Sequence, residues 1–261
     1  MKNYGYKPDI EKIDDYKFGG FSFPDKVLKE DGQWDEFLPE LENQNINGIE
    51  TNGCVSFATT SIIEILFERL GKIENYSDRF LAIVSETDPA SGGNTPNKVA
   101  DAVRKIGLID EVLLPFISKI DSVDKYYSPK PMTSDLIWRA GKWLQNWTFG
   151  YEKVHGTPEM IKKALRYSPL GAAVYAWQQN SEGLYVRPLG YPDVHYCVLY
   201  GYEDKKYFKI FDSYEMNLKK LDWNFNFTTL RRYYLEKKDF QETSGQKFLR
   251  AIKRYFHFIF S

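Results

Sequence analysis

The texture of this chain changes at Pro169, and that change restricts it to folds that join a helical part to a strand-rich part. Ahead of Pro169, apolar residues recur at steps of three and four. Phe57, Ala58, Ser61, Ile62, Ile65 and Leu66 share one predicted helix face, and Val99, Ala102, Val103 and Ile106 share another. The first helix can be capped by Thr51 or Asn52 and ended by Gly71; the second can be capped by Thr95, opened by Pro96 and ended by Gly107. A third helix is expected over roughly 134–147, and a fourth from Thr157-Pro158 to just before Ser168-Pro169. Beyond Pro169, the segments 171–177, 196–202, 206–211 and 231–236 are rich in β-branched and aromatic residues, with turn residues between them. The expectation is an α+β protein with a helical lobe over about 45–130 and a β lobe over about 150–240. Residues 1–44 read as a polar, aromatic-dotted wrap, 118–133 as a surface connection, and 241–261 as an amphipathic tail that could touch a membrane surface but reads as docked on the body.

Composition narrows the function classes. A formal net charge of −1 carries no electrostatic footprint for nucleic acid, and no apolar run reaches membrane-spanning length. The opening residues lack the apolar core of a signal peptide. The two cysteines, Cys54 and Cys197, are too few for a disulfide framework and belong to no metal-ligand pattern, so no metal or other cofactor is expected. Both thiols read as reduced, which points to a reducing, cytoplasmic compartment.

Cys54 sits in Asn-Gly-Cys-Val-Ser-Phe-Ala, a turn that runs into the first helix. Unpaired amides and the positive dipole end in a first helical turn favour thiolate over thiol, and thiolate is the form that attacks carbonyl carbon. A small buried hydrophobe is the other reading of such a cysteine. A nucleophilic thiol needs a base, and the chain has three histidines. His155 lies in a loop and His257 in the tail, whereas His195 opens the strand His-Tyr-Cys-Val-Leu-Tyr-Gly-Tyr. A turn at 203–206 and the returning strand 207–211 bring Asp212 back beside His195, where it can orient the ring.

With these residues in place, the chain resembles the papain-like cysteine peptidases of the C1 type. Cys54 precedes His195 by about 140 residues, within the roughly 130–150 known for that class. Pro39-Glu40-Leu41-Glu42-Asn43-Gln44 resembles the stretch whose glutamine lines the oxyanion hole. Gly53 to Ala58 resembles the nucleophile motif. Ser91-Gly92-Gly93, the helix after it, and Leu114-Pro115-Phe116 follow the family's order, as do His195 to Tyr202 and Asp212-Ser213-Tyr214. The resemblance implies a two-lobe fold with an antiparallel, barrel-like C-terminal lobe and a cleft between the lobes. It implies peptide-bond hydrolysis by Cys54 and His195, with Asp212 orienting, Gln44 completing the oxyanion hole, and Gly92 and Gly93 pairing with an extended peptide or protein substrate. It also implies a compact form without propeptide or disulfides, of a bacterial or phage kind. Departures are Val55 in place of an aromatic, Asp212 in place of asparagine, Tyr214 in place of tryptophan, and a Gln44 that stands further from Cys54 than the family pattern has it. Either the intervening loop bulges or Asn47 or Asn52 supplies the amide. Other thiol acyl transfer, of amidase, deamidase or transglutaminase type, would use the same triad, and a catalytically weak binding or structural protein could keep the same fold.

Overall fold

In a computed structural model, residues 3–10, 17–18, 26–46, 48–90, 92–117, 119–214 and 218–238 are described. The 241–261 tail with His257, and also Asn47 and Ser91, lie outside the described residues.

The fold is built around α1 (Cys54–Glu68). The sequence predicts one apolar face for it, but every residue of α1 except Ser61 and Glu68 is buried. The reason is its position: β strands pack on one side of it and helices on others, so no face is left to solvent. Thr59 and Thr60 survive this burial because their hydroxyls return to the helix. Thr59 Oγ1 donates to Val55 O at 2.7 Å, and Thr60 Oγ1 to Phe57 O at 2.9 Å. The N-cap is Gly53, not Thr51 or Asn52. Thr51 Oγ1 instead accepts the Gly53 N–H at 3.2 Å, which holds the turn before the helix. At the other end Gly71 takes a φ of 72°, and the Lys72 N–H donates to Phe67 O at 3.0 Å, so the chain leaves the helix as the glycine predicts.

The other helices are α2 (Asp78–Val84) and α3 (Pro96–Ile106), which pack on α1, then α4 (Val123–Tyr126), α5 (Ser134–Asn146), which packs on α3, and α6 (Pro158–Leu165), which packs on the strand His195–Glu203. Thr95 and Thr133 cap α3 and α5 by accepting the N–H groups of Lys98 and Leu136. α2 has no counterpart in the sequence reading, and α4 falls inside the stretch read as a surface connection.

Strands β1 (Asn45–Ile46) and β2 (Ile49–Glu50) form a small hairpin. The rest make one sheet: β3 (Trp147–Lys153), β4 (Leu170–Val174), β5 (Gln178–Gln179), β6 (Tyr185–Val186), β7 (His195–Glu203), β8 (Tyr207–Phe211), β9 (Leu218–Asp222) and β10 (Leu230–Lys237). Their order is β3-β10-β4-β7-β8-β9-β6-β5, antiparallel except at β6–β9. The lobe is antiparallel as expected, while the sheet stays open with β3 and β5 at its edges. Trp147, expected to end the third helix, begins β3, where its ring meets Phe67 of α1 edge-on at 4.6 Å. One core runs from the helices through α1 into the sheet, and β7, buried from His195 to Gly201, is its central strand.

Candidate active site

Three elements that touch one another deliver the predicted catalytic residues. Cys54 is the first residue of α1, His195 the first of β7, and Asp212 follows the last of β8. β7 and β8 pair with Val198 opposite Phe211, so the hairpin sets Asp212 beside the start of β7. The His195 Nε2–H donates to Asp212 Oδ1 at 2.5 Å, and both residues are fully buried. α1 packs directly on β7, and the Cys54 thiol meets the main chain of Tyr196, the residue after His195. The other ring nitrogen of His195, Nδ1, is buried without a hydrogen-bond partner among the described residues. A buried imidazole with one nitrogen committed to a carboxylate and the other uncommitted can accept a proton at the second atom.

Lys219 is a participant that the sequence reading missed. Its Nζ donates to Asp212 Oδ2 at 2.7 Å, and only 6% of the residue is exposed. The same ammonium lies 4.9 Å from the centre of the Trp177 ring, and that ring meets His195 edge-on at 5.6 Å. Burial alone would raise the Asp212 carboxyl, but His195 and Lys219 outweigh it and hold Asp212 below the usual carboxylate range. The signal was available in β9: Leu221 points inward, so period two places Lys219 inward and leaves Leu218 in solvent.

Gln44 reaches the site despite its long spacing from Cys54. The extra residues fold into the β1–β2 hairpin, which returns the chain to Thr51, whose Oγ1 donates to Gln44 O at 3.0 Å. Gln44 is fully buried. Its main-chain N–H donates to Ser213 O at 2.9 Å, and its Oε1 accepts from Ser213 Oγ at 2.9 Å, which ties it to the residue after Asp212. Its Nε2 donates to Glu50 Oε1 at 2.8 Å and to Tyr4 O at 2.9 Å. Asn52 Nδ2 is engaged elsewhere, with Pro89 O at 2.9 Å.

Tyr4 belongs to a segment that occupies the cleft. The Tyr4 N–H donates to Val194 O at 2.9 Å, just before His195, and its ring lies 5.6 Å from the imidazole. The Asn94 N–H donates to Gly5 O at 2.9 Å and the Lys7 N–H to Asn94 O at 2.8 Å, so the segment pairs with the chain just beyond Gly92 and Gly93. A Cβ on Gly93 would stand 2.0 Å from Gly5 O, and one on Gly5 would stand 2.0 Å from Asn52 O. Of the two glycines singled out as a substrate edge, Gly93 thus faces this chain's own backbone at Gly5, and Gly92 faces the Asn3 side chain. Tyr6 is buried, stacked on Tyr196 with centroids 5.9 Å apart, and its hydroxyl donates to Thr229 Oγ1 at 2.9 Å. Arg231 Nη2 then anchors the segment through Asp9 Oδ2 at 2.5 Å. A cavity of about 800 Å³ opens beside Tyr6 and Asp9, with His155 in its lining and none of Cys54, His195 or Asp212.

Under this cover the thiol is not in the state the helix start alone predicts. Burial pushes the Cys54 thiol well up, the carboxylates of Glu50 and Asp212 push in the same direction, and main-chain groups of Tyr196 and Val55 only partly oppose them. Cys197 is equally buried and likewise raised, with Sγ 3.7 Å from Ala172 O inside the sheet.

No family model matches the chain, and no curated protein does. Solved structures do. Xylellain, a cysteine protease from Xylella fastidiosa, aligns with a TM-score of 0.61 at 18% identity over 92% of this chain and 97% of that one. Digestive procathepsin L 3 of Tenebrio molitor larval midgut aligns at 0.56 and 16% identity over 84% and 75% of the two chains. The bromelain protease from Ananas comosus in complex with the E64 inhibitor aligns at 0.55 and 16% over 78% and 98%. At such identities the likeness speaks to architecture, and with its helical side, its antiparallel sheet and the cleft residues between them, this chain has the papain-like cysteine peptidase fold.

Proposed function

We propose that the protein is a thiol peptidase that hydrolyses peptide bonds, and that the structure describes it in a latent state with residues 3–9 lying in its own cleft. The observation that supports this reading most is the His195 ring, on the strand that α1 packs against, with Nε2 fixed on Asp212 at 2.5 Å and Nδ1 buried and uncommitted among the described residues. In the reaction, the Cys54 proton passes to His195 Nδ1 and sulfur attacks the substrate carbonyl carbon. The oxyanion is held by the Cys54 N–H and by Gln44 Nε2, the donor that Tyr4 O now engages. The carbon–nitrogen bond breaks, His195 returns the proton to the leaving amine, and a thioester remains. His195 then takes a proton from water, hydroxide adds to the thioester, and the acid leaves as the thiol reforms. Asp212 keeps the ring in the tautomer that frees Nδ1. Two thiols without a disulfide suit a reducing compartment. Among the described residues no helix is long and apolar enough to cross a membrane.

Gly5→Val tests both halves of the reading. The added side chain collides with Asn52 O and should unseat the segment without touching Cys54, His195 or Asp212. An epoxide thiol probe should then label Cys54 faster than in the parent, and hydrolysis of a fluorogenic peptide should rise with it. Labelling that rises without hydrolysis would remove the peptidase assignment and keep the latent cleft. Labelling directed to Cys197, or unchanged at Cys54, would remove both.

A further inference from the structure

We propose that Lys219 is a positioning residue for His195, acting through Asp212, so that ammonium and carboxylate together fill the place of the neutral amide the resemblance leads one to expect there. The inference rests on reading Cys54, His195 and Asp212 as the reacting group and its support.

The geometry is a chain of three groups. His195 Nε2 holds Asp212 Oδ1 at 2.5 Å, and Lys219 Nζ holds Asp212 Oδ2 at 2.7 Å. An asparagine fixes an imidazole with one neutral oxygen. A carboxylate in the same place adds a full negative charge to a site with no exposure to water. Left alone, that charge would hold the imidazole in its protonated form and slow the return of its proton to the leaving amine. Lys219 cancels the charge and, by engaging the second oxygen, fixes the plane of the carboxylate. Burying the lysine is itself costly without such a partner, so each of the two residues accounts for the other. Trp177 closes the arrangement by lying against both the ammonium and the imidazole. Other ionisable groups around this centre are the rings of Tyr4 and Tyr214, 5.6 and 6.2 Å from the imidazole, and the thiols of Cys54 and Cys197, which feel Asp212; further out, Glu50 acts on Cys54, and Asp193, paired with Arg187 at 3.1 Å, acts on Cys197. None of them differs between the variants below.

This arrangement reverses a simpler expectation. From the resemblance alone, Asp212→Asn should be harmless. With Lys219 in place, Asp212→Asn leaves a buried ammonium facing the imidazole, and Lys219→Met leaves the carboxylate uncompensated. The two exchanges therefore push the ring in opposite directions, and the double variant Asp212→Asn/Lys219→Met restores neutrality. The measurement is the ring ¹⁵N resonances of His195 followed against pH in the full chain, with His195→Gln to assign them. Relative to the parent, the midpoint should move up in Lys219→Met and down in Asp212→Asn, each by about one pH unit or more, and return in the double variant. A structural role for Lys219 would not produce shifts of opposite sign. Midpoints that move together, or a double variant no nearer the parent than the singles, would overturn the proposal. Should Lys219→Met fail to fold, folding of the double variant supports the pairing, and failure of both overturns it. The resonances report the ring whether or not peptide is cleaved, so a wrong peptidase assignment and a wrong role for Lys219 give different results.

Discussion

Glu64 on α1 and Asp212 after β8 are both buried carboxyl groups, and the molecule holds them in opposite ways. Glu64 has a backbone partner, the Tyr76 N–H at 2.8 Å, and burial pushes its carboxyl up to about 8. Its neighbours follow. Burial, then Glu42, raises Asp78, and burial pushes Glu111 up to about 7, with the Phe116 N–H at 2.8 Å as its partner. On the sheet side the partners are cations. Asp212 has His195 and Lys219, Glu152 has Arg232 at 2.9 Å, and Asp9 has Arg231 at 2.5 Å. Asp193 is intermediate, paired with Arg187 yet still raised by burial. On the helical side, therefore, burial raises the acids, whereas on the sheet side acids are paired with cations. The proposed proton-transfer site stands on the sheet side, where ionised groups are already buried in pairs.

The largest test of that division concerns the reacting groups. With the segment displaced by Gly5→Val, Cys54→Ala or His195→Ala should lower peptide hydrolysis by several orders of magnitude, whereas His155→Ala should leave it within about twofold. His155 lies exposed at the separate cavity and has no part in the charge system of the sheet. Equal losses from both histidines would mean they act through stability. Next in size is Gln44→Ala in the same background, which should cost on the order of 10²–10³ in kcat with KM little changed. A rise in KM alone would assign Gln44 to seating the peptide rather than to the oxyanion.

The parts of this site that could be read from the sequence are those set by local pattern. Cys54 was legible because a helix start is marked by its turn and its apolar spacing, and His195 with Asp212 because a hairpin returns to its own beginning. Gln44 was found by resemblance, but its reach depended on a two-plus-two-residue hairpin whose strands are too short to show periodicity. Lys219 was hidden because charged residues are assigned outward by habit, although Leu221 fixes the face. The segment at Tyr4 to Asp9 left no local trace: its partners Gln44, Asn94, Val194 and Thr229 are far along the chain, and neither sheet nor helix spacing encodes such contacts. α1 shows the converse, since its stripe was real but sheet and helices together covered the faces the stripe left open.

Stability separates the two sides further. Glu152→Gln removes the charge that compensates Arg232, which is 4% exposed, and should cost about 3–5 kcal/mol in urea unfolding. A cost below about 1 kcal/mol would place this pair with surface ion pairs and blur the contrast with the helical side.

The smallest expected effect is a slope. In the unfolded chain Glu64 ionises near its ordinary 4.5, and in the folded protein only at about 8. Between those values the native state binds the extra proton, so stability falls as pH rises, by up to about 1.4 kcal/mol per pH unit for each such group, and levels off above the folded value. Asp212 runs the other way: its folded value is depressed, so its contribution is present above the ordinary carboxylate range and is lost as acid protonates it. Glu64→Gln keeps an oxygen to accept the Tyr76 N–H and has no proton to lose. The variant should be close to the parent in stability at pH 5, more stable than the parent at pH 9, and shallower in slope by about one proton between them, with Glu111 accounting for part of the slope that remains below about 7. Urea midpoints across that range measure it. A slope unchanged by the exchange would mean that Glu64 is ionised in the folded helical side, and that the two halves of the molecule do not differ in how they bury acids.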